Sequence, residues 1–127
     1  MSEITARFSV SGYEPSTVDG IEGDWVGALV MHKTYSGVLN GTGLLHFISS
    51  GTEENRGYLA AERIVATFEG VDGEVTVHHG GLNSTDDPSA FGYVVPGTGT
   101  GAFEGWSGTA RILHDDDGAS FVFTLDD

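Results

Sequence analysis

No window of this chain sustains a 3.6-residue apolar period over three turns, whereas two-residue alternation of apolar and polar side chains recurs along its length. That property excludes helical bundles and leaves an all-β chain whose strands each turn one face to a core. Strands are predicted near residues 3–12, 24–39, 42–50, 57–69, 74–80, 89–96, 101–114 and 119–126, with residues 13–23 read as a loop. Asn40-Gly41, Asp72-Gly73 and Asp117-Gly118 fall at three of the joins and supply the positive φ angles that tight hairpins demand. Eight antiparallel strands joined in this way predict a single domain over residues 1–127, an up-and-down β-barrel, with a two-sheet sandwich as the alternative. Closure removes sticky sheet edges. About eight strands leave an interior that is either filled by side chains or holds one small ligand.

Charge narrows the partners. The chain carries 19 Asp and Glu against 5 Lys and Arg, net −14. Binding to nucleic acid or to an anionic membrane needs clustered cations, and the five here are scattered at Arg7, Lys33, Arg56, Arg63 and Arg111. Neither partner is expected. The acidic groups Asp86-Asp87, Asp115-Asp116-Asp117 and Asp126-Asp127 sit where turns or the chain end are predicted and read as solvated surface; no twelve-residue calcium loop is present. The absence of cysteine removes disulfides and thiolate metal sites. The first residues do not read as a signal peptide, and no stretch approaches the roughly 20 apolar residues of a membrane-spanning helix, so a soluble cytoplasmic protein is expected.

Candidate chemistry lies where ionisable residues interrupt apolar faces. If Val71 and Asp72 form a two-residue loop, Ile64 faces His79 and Glu62 faces Gly81. One face then carries Tyr58, Ala60, Glu62, Ile64, Ala66 and Phe68, and its partner carries Val75, Val77 and His79. Glu62 and His79 are thus expected inside, diagonally across one strand pair. There burial and mutual charge move proton affinity toward the range useful for acid–base work, unless the two merely brace the barrel. A hairpin at Asn40-Gly41 with Leu39 opposite Thr42 sets Tyr35 against His46 and Lys33 against Ile48. If the face that carries them is the inward one, Trp25, Lys33, Tyr35 and His46 join the same interior. The other face of residues 25–38 is apolar as well, which predicts a homo-oligomer.

Residues 96–108, Pro-Gly-Thr-Gly-Thr-Gly-Ala-Phe-Glu-Gly-Trp-Ser-Gly, suggest a phosphate cradle at first sight. A Walker loop needs Lys after its last Gly, and a dinucleotide fingerprint needs a following helix; neither fits. The run reads as a bend where backbones approach closely, with Trp106 plugging or lining the barrel. His32, His46, His78, His79 and His114 lack the two-residue spacing that would set a pair on one strand face, so no metal and no cofactor are expected.

Taken with His32-Lys33-Thr34-Tyr35-Ser36-Gly37, Glu62-Arg63 and His79, the glycine run resembles a family of small bacterial proteins of unknown function. Its pattern is Pro-Gly-Ser-Gly-Thr-Gly, an apolar residue, then Gly-x-x-Gly. Thr98, Ala66 and Val71-Asp72 depart from that pattern without disturbing a fold. The resemblance implies an allene oxide cyclase-like, calycin-type barrel, although no motif of the plant cyclases' catalytic residues aligns. On this reading the barrel binds a small apolar molecule, with Trp25, Lys33, His46, Tyr58 and Trp106 lining the site. Glu62, His79 and Tyr35 would give acid–base help to an isomerase or cyclase. The alternative is a filled, non-catalytic barrel acting through its oligomer surface.

Overall fold

The computed structural model describes residues 2–84 and 89–127, so the acidic pair Asp86-Asp87 lies outside the described residues. Its elements are β1 (Ser2–Ser16), β2 (Val26–Ser36), β3 (Leu39–Gly51), β4 (Asn55–Phe68), β5 (Val71–Ser84), β6 (Ser89–Val94), β7 (Thr100–Gly101), β8 (Gly108–Asp115) and β9 (Gly118–Leu125). Every pairing is antiparallel, and eight strands close in the order β1-β2-β3-β4-β5-β6-β8-β9 and back to β1. The two-residue β7 is an extra strand laid against Gly73 and Glu74 of β5. The chain is therefore a closed barrel and not a sandwich.

The first strand runs further than predicted, because Tyr13–Ser16 pair with Met31–Ala28 of β2. Pro15 is tolerated there because β9 reaches only Phe8, which leaves that stretch of β1 with a free edge. The hairpins differ from expectation in an instructive way. The β4–β5 loop is Glu69-Gly70, with φ of 53° and 80°, and Phe68 pairs with Val71. Asp72-Gly73 instead lies inside β5: Asp72 accepts the Thr67 hydroxyl at 2.6 Å, and Gly73 lets the Thr100 backbone come against the strand. The β2–β3 turn centres on Gly37-Val38, and Asn40 closes it from the flank, its Nδ2 donating to the Gly37 carbonyl at 2.8 Å. Gly41 sits within β3, pressed against Val65 and Ala66, where any side chain would collide. The β8–β9 loop is Asp116-Asp117, one residue before the expected pair.

The lumen is filled at one end. Phe68, Phe103, Trp106 and Phe123 pack with ring centroids 4.8 to 6.5 Å apart. The glycine run builds this plug. Residues 96–107 form tight turns on either side of the short β7 rather than the start of a long strand, and Gly101 lies against the Asp72 backbone with φ of 59°. The bend inferred from the sequence is therefore present, and β8 begins at Gly108 instead of residue 101.

Among the described residues Glu69 alone pays an evident backbone penalty, since a non-glycine residue in the left-handed region costs about 1 kcal/mol. Replacing Glu69 with Asn gives the Asn-Gly pair favoured in such hairpins. It is expected to stabilise the barrel by about 0.5 kcal/mol, a rise of a few degrees in thermal midpoint measured by calorimetry.

Candidate functional site

Lys33 and Tyr35 stand two residues apart on β2 and so share its inward face. On β3 the residues opposite them are Gly43 and Gly41, which have no side chains to block the way to β4. Glu62 projects into that gap from β4, where its neighbour across β3 is Leu45. His79 comes from β5, paired with Ala60, while Glu62 pairs with Val77; the two are diagonal neighbours on one face, as expected, but on the opposite diagonal from the one predicted. The sequence thus uses two glycines on one strand to let Lys33, Tyr35 and Glu62 of its two neighbours meet inside the barrel, where His79 of β5 joins them.

The meeting point is Glu62, which is fully buried. Lys33 Nζ donates to its Oε1 at 2.8 Å, His79 Nε2 lies 3.2 Å from the same oxygen, and the Tyr35 hydroxyl donates to Oε2. Burial is the largest single influence on Glu62 and pushes its carboxyl up. His79, Lys33 and Tyr35 together outweigh burial and hold it below its ordinary value. An ionised carboxylate only accepts, so Nε2 of His79 carries the hydrogen, and Nδ1 is buried without a partner. Burial pushes the Lys33 ammonium down, opposed by the charge of Glu62, and drives the Tyr35 hydroxyl well up, reinforced by that charge. Lys33 also rests over the rings of Phe8 at 4.0 Å and Phe121 at 4.6 Å, so its cation is met by aromatic faces where it is not met by Glu62.

Above this cluster, at the end away from Trp106, the lumen holds a cavity of about 210 Å³. Phe8, Met31, Leu45, Phe47 and Ile112 wall it, Lys33 and His79 floor it, and Val10 and His114 stand at its exposed mouth. Tyr58 belongs to the same wall, stacked on Phe47 at 5.1 Å and edge-on to His79 at 6.0 Å. Glu62 lies beneath the floor and does not line the cavity.

Five of the eight singled-out residues, Glu62, His79, Tyr35, Lys33 and Tyr58, come together here. Three do not. Trp106 lies in the plug at the other end. His46 points outward because Lys33 pairs with Gly43, five residues from the expected Ile48. An odd slip exchanges the two faces of a strand, so Leu45 and Phe47 face the lumen in place of His46. Trp25 precedes β2 and is 62% exposed, outside the barrel. Phe8 and Gly43 were not foreseen. A Gly-x-Gly pair on one strand face, as at 41 and 43, was the available signal for side chains crossing from both neighbours.

A closed eight-stranded antiparallel barrel, plugged at one end and carrying a buried Lys-Glu-His-Tyr cluster under a small apolar cavity, is the class of protein that the fold and geometry define. By sequence the chain belongs to the DUF3224 family, a protein family of unknown function whose model matches residues 4–125. It is similar in fold to the crystal structure of a DUF3224 protein of unknown function from Shewanella oneidensis MR-1. The TM-score is 0.83 at 24% identity over 99% of this chain and 96% of that one. Among curated proteins none matches. Among the described residues no helix is long and apolar enough to cross a membrane, which leaves the behaviour of strands undecided.

Removing the Glu62 charge leaves Lys33 buried without its counter-ion. Glu62→Gln is therefore expected to cost about 3 kcal/mol at neutral pH in denaturant unfolding. Because the folded-state pKa of Glu62 is depressed, its ionisation contributes stability above the ordinary carboxyl value of 4.5, and this is lost as pH falls through the lower folded value. The gap between native chain and variant should close below pH 4.5. A constant gap down to the acid transition would show that Glu62 is not held ionised.

Proposed function

We propose that this protein is a small-ligand barrel that takes an apolar molecule into the cavity above the Glu62 cluster. The observation that carries this reading is the cavity itself, about 210 Å³, walled by aliphatic and aromatic side chains and floored by two polar ones. A dry apolar void of about 150 Å³ is enough for benzene, whereas drug-sized ligands occupy pockets of about 300 Å³ or more. The ligand class this volume favours is a single ring or a short alkyl chain.

An isomerase or cyclase is the enzymatic form of this reading. Holding a flexible apolar substrate in one shape supplies orientation, and one proton donor or acceptor at the floor completes the requirement. Lys33 and His79 are the groups positioned to meet such a substrate. Glu62 acts through them by fixing the His79 hydrogen and the Lys33 charge, and Tyr35 acts through Glu62, so both are positioning residues. No cofactor enters this scheme. The aromatic plug favours the second reading, a non-catalytic barrel that works through its outer surface, because it fills one end of the lumen and Lys33, His79 and Tyr35 are each already engaged with Glu62.

Native mass spectrometry of the purified chain, with denaturing extraction, tests for a retained molecule, and titration with toluene followed by NMR tests the cavity directly. Toluene is expected to shift Leu45, Phe47 and Ile112 resonances. Ile112→Trp, which fills the cavity from its wall, is expected to weaken binding at least tenfold while the far-ultraviolet spectrum stays unchanged. A native chain that binds no apolar molecule would support the non-catalytic barrel.

A further inference from the structure

The outer surface of β3 to β6 carries a feature that the lumen does not explain. Ile48, Leu59 and Phe91 follow one another across the sheet, in a row whose register pairs Ile48 with Leu59, Leu59 with Gly80 and Gly80 with Phe91. Gly80 has no side chain, and the Phe91 ring lies over it. Leu82 and Tyr93 extend the row along the strands, and Trp25, from the 17–25 segment, stands beside it across a groove of about 440 Å³. All six side chains are 39% to 62% exposed.

Two observations say what covers this face. The first is area. With about 150–250 Å² per aromatic side chain and somewhat less per aliphatic one, these exposures amount to on the order of 600 Å². That is the top of the range for the largest apolar patch on a monomer, and it approaches the roughly 800 Å² that each partner buries in a standard interface. The second is charge. The chain has 19 carboxylates, yet none of its Asp or Glu residues lies in the rows that hold Ile48, Leu59, Phe91 and Tyr93 across β2 to β6. The other side chains of those rows are small or apolar, or are His46 and His78, the latter bonded to the Tyr93 hydroxyl at 2.9 Å. Along these rows the first acid is Glu14 of β1, opposite Val30 and engaged with His32 at 3.1 Å, and Asp24 adjoins Trp25 at the rim of the groove.

We infer that this face pairs with the same face of a second copy of the chain. Two bodies of net charge −14 repel each other at almost any approach, and self-pairing is favoured where both present aromatic-rich strand rows without carboxylates, as here, with Asp24 only at the rim. A foreign cationic partner would instead be drawn to the acidic surface. The two-fold arrangement follows from self-complementarity of one patch. Trp25, at the edge of the groove, is the anchor residue type that dominates such contacts. The pairing is independent of the lumen, so it stands or falls apart from ligand binding.

Sedimentation velocity of the native chain at about 10–100 µM tests it, a range in which an interface of this size assembles. A particle of twice the 13.3 kDa chain mass is expected. Leu59→Glu places a carboxylate at the centre of the face on an outward position that leaves the core untouched. It is expected to raise the dissociation constant at least a hundredfold, with an unchanged far-ultraviolet spectrum and unchanged toluene binding. A native monomer throughout that range would overturn the inference, as would a dimer that survives Leu59→Glu or a trimer. A monomer that adsorbs to phosphatidylcholine vesicles through Leu59 would assign the face to a lipid surface and overturn it equally.

Discussion

The rest of this barrel is arranged around one buried ion pair. Lys33 and Glu62 meet in the lumen with almost no solvent contact, and neither is tolerable there alone. Each additional group answers a need of that pair. Tyr35 and His79 supply the donors that keep the carboxylate charged, Phe8 and Phe121 offer ring faces to the ammonium, and Gly41 and Gly43 vacate the strand between them. A methyl group on Gly43 would sit 2.5 Å from Glu62 Oε2, so the glycine is as much a part of the cluster as the charged residues.

The cluster also divides the lumen. Below it, Phe103 and Trp106 enter from the turns of the glycine run and fill the barrel with edge-to-face rings. Above it, β8 and β9 stop at the Asp115–Gly118 hairpin beside Phe8, while β1 to β5 run on. The mouth is therefore open on one side, and a polar floor lies at the bottom of an apolar cup. Filled end, charged middle and open top are three consequences of strand length and residue size on one closed sheet.

Much of this was legible in the chain, and the failures obey a simple rule of parity. The loop placed at Val71-Asp72 is really Glu69-Gly70, so Glu62 faces Val77 and not Gly81, a slip of four residues. An even slip leaves every side chain on its own face, and Glu62, Ile64, Val77 and His79 were correctly set inside. The slip of five at the β2–β3 hairpin is odd, and it exchanged His46 for Leu45 and Phe47. In both places a turn-forming dipeptide, Asn40-Gly41 or Asp72-Gly73, serves inside a strand. Its glycine is needed there for close approach of a neighbouring backbone, a demand that local sequence does not reveal.

Alternation and glycine placement by themselves determined that the chain is all-β and barrel-like, and that Glu62 and His79 share an inward face, because side-chain direction in a strand is a local, two-residue property. Which residues of different strands touch was decided only by the tertiary structure. Register is fixed by the collisions that glycines avoid and by the need of Lys33 and Glu62 to meet, and both act between residues far apart in the chain. Whether the lumen is open or filled was likewise beyond the sequence. It depends on where Trp106 and Trp25 end up: one folds into the barrel on a series of turns, and the other is left outside it.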